Sequence, residues 1–184
     1  MSPDADDQLD RAAAAALALA AERPWRDVTL HDIALKATVP LTELFARAPG
    51  KRQVVDWLSA RFDLAALKAT ADDATVHDQL FDAMMRRIEV MEPHRALLLA
   101  VHDGEGAGPL TLRLPRTARA ILEGAGVDAS GRRGVLRLAA ITFVWARVLQ
   151  VWRADDGALN RTMAEIDRRL KLACRRLKRF GAGW

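Results

Sequence analysis

Apolar residues recur every three or four positions through nearly the whole chain, and no segment alternates apolar and polar for long. That period belongs to amphipathic helices and not to strands. The first helix is predicted over about residues 4–23, where Ala12 to Ala16 are strong helix formers and Pro24 stops the run. Thr29 has the position of an N-cap, with Asp32 three residues on able to reach back. Ile33, Ala34 and Ala37 then give a short second helix its apolar face. Pro40 opens a third short helix that runs to about residue 48, and Pro49-Gly50 breaks the chain. A fourth helix starts at Lys51 and turns Val54, Val55, Leu58, Phe62 and Leu67 inward. A polar stretch at 71–75 separates it from a fifth helix over 76–91, and Pro93 opens a sixth over 94–102. The glycine-rich segment 103–109 is expected to be a flexible loop. A seventh helix follows over 110–123, bent or started late by Pro115, and 124–131 forms another loop. An all-α chain of about nine helices is expected.

The last two helices carry the clearest periodicity. In the eighth, Val135, Leu138, Thr142, Trp145, Leu149 and Trp152 are spaced by threes and fours. In the ninth, Leu159, Met163, Ile166, Leu170, Ala173 and Leu177 follow the same rule. Such seams suit two antiparallel helices packed at a shallow angle. One stripe per helix is accounted for by an intramolecular core. The eighth helix is also apolar on its other flank, through Phe143, Val144, Val148 and Val151, and a helix apolar all round is buried on more than one side. A homodimer is therefore expected, with Val135, Leu138, Trp145, Leu149, Trp152, Met163, Ile166 and Leu170 at its interface.

Composition narrows the classes. With 184 residues, 51% hydrophobic and 28% charged, the chain is globular and long enough for one sizeable core. The lone Cys174 excludes an intramolecular disulfide and a cysteine-based metal site. His31, His77, His94 and His102 have no metal-ligand spacing, and the glycines at 104–108 lack the Lys-Ser/Thr of a phosphate loop. No nucleophile elbow or paired-carboxylate motif occurs, so no enzyme, cofactor or metal is expected. The longest uninterrupted apolar run, Ala12 to Ala21, is ten residues, against roughly 20 for a membrane span. The acidic start is unlike a signal peptide, and a cytoplasmic protein is expected.

The net charge of +4 is unevenly placed. Residues 1–68 carry nine basic and ten acidic side chains, whereas 161–184 carry eight basic against Glu165 and Asp167. Cations at a helix C-terminus complement its dipole. With Phe180 and Trp184 beside them, they also suit peripheral contact with an anionic membrane, or nonspecific contact with nucleic acid.

Residues 29–47 spell helix, tight turn, short helix, which beside the first helix makes a helix-turn-helix unit. Ala15-Ala16-Leu17, Leu19, Trp25, Thr29, Ile33-Ala34, Ala37-Thr38-Val39, Leu44-Phe45 and Pro49-Gly50-Lys51 keep the spacing of one known pattern without a gap. Over residues 15–58 the sequence resembles the TetR family of transcriptional regulators. The resemblance implies a TetR-like fold with a DNA-binding domain at 1–50 and a ligand-binding and dimerisation domain at 51–184. It implies a ligand-responsive repressor on duplex operator DNA, with contacts from Thr29, Thr42, Phe45, Arg47 and Lys51. A cavity for a small apolar or lipid ligand would be lined by Phe81, Met84, Met85, Ile88, Leu98, Phe143 and Trp145; any of these also suits a solid core.

The pattern has departures. Pro24 and Thr38 stand where the family usually has glycine, and Leu41, Glu43 and Ala46 stand where it places polar or basic groups. The run Arg86-Arg87-Ile88 to Pro93 and the final helix pair are similar to a group of TetR-fold accessory proteins of ubiquinone biosynthesis. That looser resemblance implies lipid binding without DNA reading.

Overall fold

The computed structural model describes residues 3–68, 74–105, 107–155 and 157–184. Among them are nine α-helices and no strand: α1 (Pro3–Glu22), α2 (Leu30–Ala37), α3 (Leu41–Arg47), α4 (Lys51–Ala66), α5 (Val76–Met91), α6 (Arg95–Glu105), α7 (Ala107–Gly124), α8 (Gly131–Arg153) and α9 (Asn160–Arg179). Short 3-10 turns occupy Trp25–Asp27 and Glu92–His94. The chain divides into two compact units: residues 1–61 with 93–111, and residues 62–92 with 112–184. Helix α4 contributes residues 51–61 to the first unit and 62–66 to the second.

The first unit packs α1 against α2 and α6, with α3 joined to α2. Its core holds Ala12, Ala13, Ala16, Leu19, Trp25, Val28, Ile33, Ala34, Val39, Leu44, Val54 and Val101. The alanines of α1 thus serve as a thin helix face, as well as supplying helix propensity. The expected loop at 103–109 is a correction: α6 runs on to Glu105 and α7 begins at Ala107, while Gly106 lies outside the described residues. Tertiary packing overrides the glycine signal, because a Cβ on Gly104 would lie 2.7 Å from Cβ of Trp25. Pro109 falls in the first turn of α7, where helix N–H groups have no intrahelical acceptor anyway. Pro115 lies inside α7 and does not end it.

Helix α2 ends on Thr38, whose φ of 54° and ψ of 45° are left-handed. Val39 N donates to Ala34 O (3.0 Å) and Thr38 N to Leu35 O (3.1 Å), the Schellman pattern that usually carries glycine. A β-branched residue there is strained by about 1–2 kcal/mol. Thr38→Gly is expected to raise stability by about 0.5–1 kcal/mol after allowing for glycine's greater freedom when unfolded, seen as a higher urea midpoint with unchanged m.

The second unit is built on the α8–α9 hairpin, with α5 against α9. Arg137 near the start of α8 donates to the carbonyls of Ala182 (3.1 Å) and Gly183 (2.8 Å), so the two helices run antiparallel. Between them Asp155 accepts from the backbone N–H (3.0 Å) and hydroxyl (2.8 Å) of Thr162, capping α9; Asp156 lies outside the described residues. Trp152 Nε1 donates to Glu92 at 2.6 Å. Of the polar stretch at 71–75, residues 71–73 lie outside the described residues, while Thr75 caps α5 by accepting from Asp78 N (3.2 Å). Gly124 lies so close to α4 that a Cβ would sit 1.9 Å from the Ala66 carbonyl oxygen. Gly126, at φ +65°, closes α7 with Val127 N on Leu122 O (2.9 Å) and Gly126 N on Glu123 O (3.0 Å).

The second unit also holds a buried ion pair. Arg87 Nε donates to Asp63 at 2.8 Å, and the Thr117 hydroxyl donates to the same oxygen at 2.9 Å. The Arg87 guanidinium lies 5.0 Å from the centroid of the buried Trp145 ring. Burial pulls the Arg87 pKa down from the ordinary arginine value, and the Asp63 charge opposes it.

Candidate nucleic-acid interface

The helix-turn-helix unit is assembled by local chemistry. Thr29 caps α2: its hydroxyl accepts from Asp32 N (3.1 Å) and donates to Asp32 Oδ2 (2.6 Å), while the Thr29 N–H donates to the same carboxylate (2.9 Å). Arg23 adds an ion pair at 2.6 Å. The Thr29 hydroxyl first, then Arg23, hold the Asp32 carboxyl well below the usual carboxylate range. A depressed folded-state pKa contributes stability that is complete above the unfolded-state pKa, near 4, and is lost as pH falls through the folded-state value. The thermal midpoint is therefore expected to drop below about pH 4, and less steeply in Asp32→Asn, as followed by helical circular dichroism.

On α3 only Leu44 is buried, beneath α1 and α2; Leu41, Thr42, Glu43, Phe45, Ala46 and Arg47 are exposed. Phe45 is 57% exposed and Leu41 39%. Two charged groups of α3 turn back toward α1. Arg47 donates to the side-chain oxygen of Gln8, and Gln8 Nε2 donates to Glu43 at 2.8 Å. Thr42 is exposed on the outer side.

Lys51, expected among the DNA contacts, has its ammonium bonded within the protein. Its ammonium donates to the carbonyls of Trp25 (2.6 Å), Val28 (2.7 Å) and Arg26 (3.3 Å), and lies 4.9 Å from the Trp25 ring centroid. It fastens the start of α4 to the turn after α1, leaving its donors on protein carbonyls. Gly50 just before it matches the family spacing, which is why sequence alone pointed outward.

The residues expected to line a ligand cavity are scattered. Met84, Ile88 and Trp145 are fully buried in the second unit, and Phe81 and Met85 half-buried there. Leu98 belongs to the first unit. Phe143 is 53% exposed and lies on the outer surface of α8.

The expected interface residues divide similarly. Trp145, Leu149, Trp152, Ile166 and Leu170 are buried within the protomer, Leu138 is half-buried, and Val135 and Met163 are exposed. The seam is thus largely buried within the protomer, with Trp145 against Arg87 and Trp152 bonded to Glu92. What faces outward is a groove of about 260 Å³ between α8 and α9, lined by the buried Val144, Ala173 and Leu177, with the exposed Leu136, Phe143 and Phe180 and the cations Arg169 and Arg176 around them. Arg169 lies 5.9 Å from the Phe143 ring centroid. Leu136, Ala140 and Phe143 also follow helical spacing beside the seam, and that second stripe was the available signal. Among the described residues α8 is the one helix long and apolar enough to cross a membrane by length and composition. Its Ile141, Val144, Trp145, Val148 and Trp152 are buried in the protomer.

No family model and no curated protein matches the chain. Its structure is similar to that of a TetR transcriptional regulator from Rhodococcus sp. RHA1, with a TM-score of 0.67 at 17% identity, over 91% of this chain and 95% of that one. The chain has the all-α TetR fold.

Proposed function

We propose that the chain is a TetR-type transcriptional regulator that holds duplex DNA with its first 50 residues and uses residues 51–184 for dimerisation and effector binding. The observation that carries this reading is the display of α3: Leu44 anchors it and the other six residues are solvent-exposed, with Glu43 and Arg47 held at the rim by Gln8. That is the geometry of a helix meant to enter a groove. Thr29, Thr42, Phe45 and Arg47 are its candidate DNA contacts; Lys51 supports them through its bonds to the turn. The α8–α9 groove is the surface offered to a second copy, with exposed Leu136, Phe143 and Phe180. A small apolar effector near Phe81, Met84, Met85 and Ile88 would act by favouring one arrangement of the reading heads. The reading includes no catalysis and a cytoplasmic location.

The test is titration of the full chain against its own upstream DNA at two salt concentrations. Sequence-specific, salt-dependent binding that weakens in Thr42→Ala plus Arg47→Ala supports the proposal. Binding that is equal on unrelated duplexes refutes it.

A second reading, a lipid-binding accessory protein that does not read DNA, draws on charge. The first unit carries nine basic and eleven acidic residues, whereas DNA affinity rests mainly on phosphate neutralisation. The exposed Arg175, Arg176, Lys178, Arg179 and Phe180 at the end of α9 suit an anionic membrane instead. Replacing the four cations by glutamine should abolish binding to phosphatidylglycerol vesicles if this reading holds; unchanged vesicle binding, or none in the parent chain, removes it.

A further inference from the structure

We infer that the duplex recognised by the first unit is read through thymine C5-methyl groups packed on Leu41 and Phe45, an inference that rests on the DNA-binding reading above. The hydrogen-bonding inventory of α3 leads there. Gln8, itself buried, takes a bond from Arg47 and gives one to Glu43, drawing both charged side chains toward α1. Ala46 has no polar side-chain atom, and Thr42 supplies a single hydroxyl. What α3 offers outward is mainly apolar surface, from the exposed Phe45 and Leu41.

In the major groove the edges of guanine, cytosine and adenine present donors and acceptors, and thymine alone adds a methyl group. Leucine and phenylalanine gain only by covering that methyl. Against a G·C pair they would strip water from polar edges and return no hydrogen bond, which disfavours G·C at the same positions. Leu41 and Phe45 are one helical turn apart, about 6 Å along the axis. Base pairs are spaced about 3.4 Å, so side chains this far apart can cover two separate thymine methyls in one groove. The Thr42 hydroxyl lies between them in sequence and is suited to one neighbouring acceptor.

The full-length protein is used to select duplexes from a random library. The enriched sequences are then remade with deoxyuridine in place of thymidine, which removes the methyl and keeps the pairing. Recurrent thymines are expected in the selected duplexes, each costing about fourfold in Kd when its methyl is removed. Phe45→Ala is expected to weaken binding to the thymine duplex and to become insensitive to uracil at one position. Because Phe45 is exposed, its thermal midpoint serves as a check on folding. Specific duplexes that bind equally well after every thymine is replaced overturn the methyl readout and leave DNA binding standing. Failure to enrich any sequence overturns DNA binding, and the readout with it.

Discussion

Arg87→Met is expected to cost about 3–5 kcal/mol of folding stability, the largest effect foreseen for a single side chain here. The guanidinium is buried in the second unit, donates to Asp63 at 2.8 Å and lies against Trp145. Its removal leaves a carboxylate inside the protein with the Thr117 hydroxyl as a hydrogen-bond donor at 2.9 Å. Arg116, 3.9 Å from the other Asp63 oxygen, is largely solvent-exposed and replaces little of the lost charge. The cost measures an uncompensated buried charge and not the net worth of the pair. Removing both partners, as in Arg87→Met with Asp63→Leu, should therefore recover most of it. Urea unfolding followed by tryptophan fluorescence checks both variants. A double variant as unstable as the single one would show that packing around Arg87, and not charge, is what matters.

Lys51→Ala is expected to lower stability by about 2–3 kcal/mol. Three backbone carbonyls share its ammonium, and Trp25 and Val28, which supply two of them, are core residues. The loss is expected in a thermal melt without any DNA present. A midpoint equal to that of the parent chain would mean that the ammonium is not committed to these carbonyls, and would return Lys51 to the role of a DNA contact.

Much of the fold was legible from local rules. The expected fifth helix, 76–91, has the bounds of α5, and the Thr29–Asp32 capping box forms as its spacing suggested. These features depend on backbone hydrogen bonds and neighbours within a turn or two, which sequence displays directly. The segment 103–109 was misread because glycine and proline report local flexibility, whereas Gly104 is needed for its closeness to Trp25, far away in sequence.

The candidate site was legible as a pattern and not as a geometry. The helix-turn-helix spacing located α2 and α3, but a motif cannot show whether a cation points out or in. Lys51 turns onto carbonyls, and Arg47 and Glu43 onto Gln8, through contacts spanning 23 to 39 residues. The seam on α8 and α9 was likewise visible as a period, yet the same stripe suits an internal core or a surface for a second chain. Periodicity, caps and helix breakers are short-range properties, so the order and nature of the helices follow from the chain as written. The direction in which a side chain spends its hydrogen bonds or apolar area depends on what long-range packing brings beside it. That is why the helices could be listed before the structure, while the inward turn of Lys51 and the outward groove beside Phe143 could not.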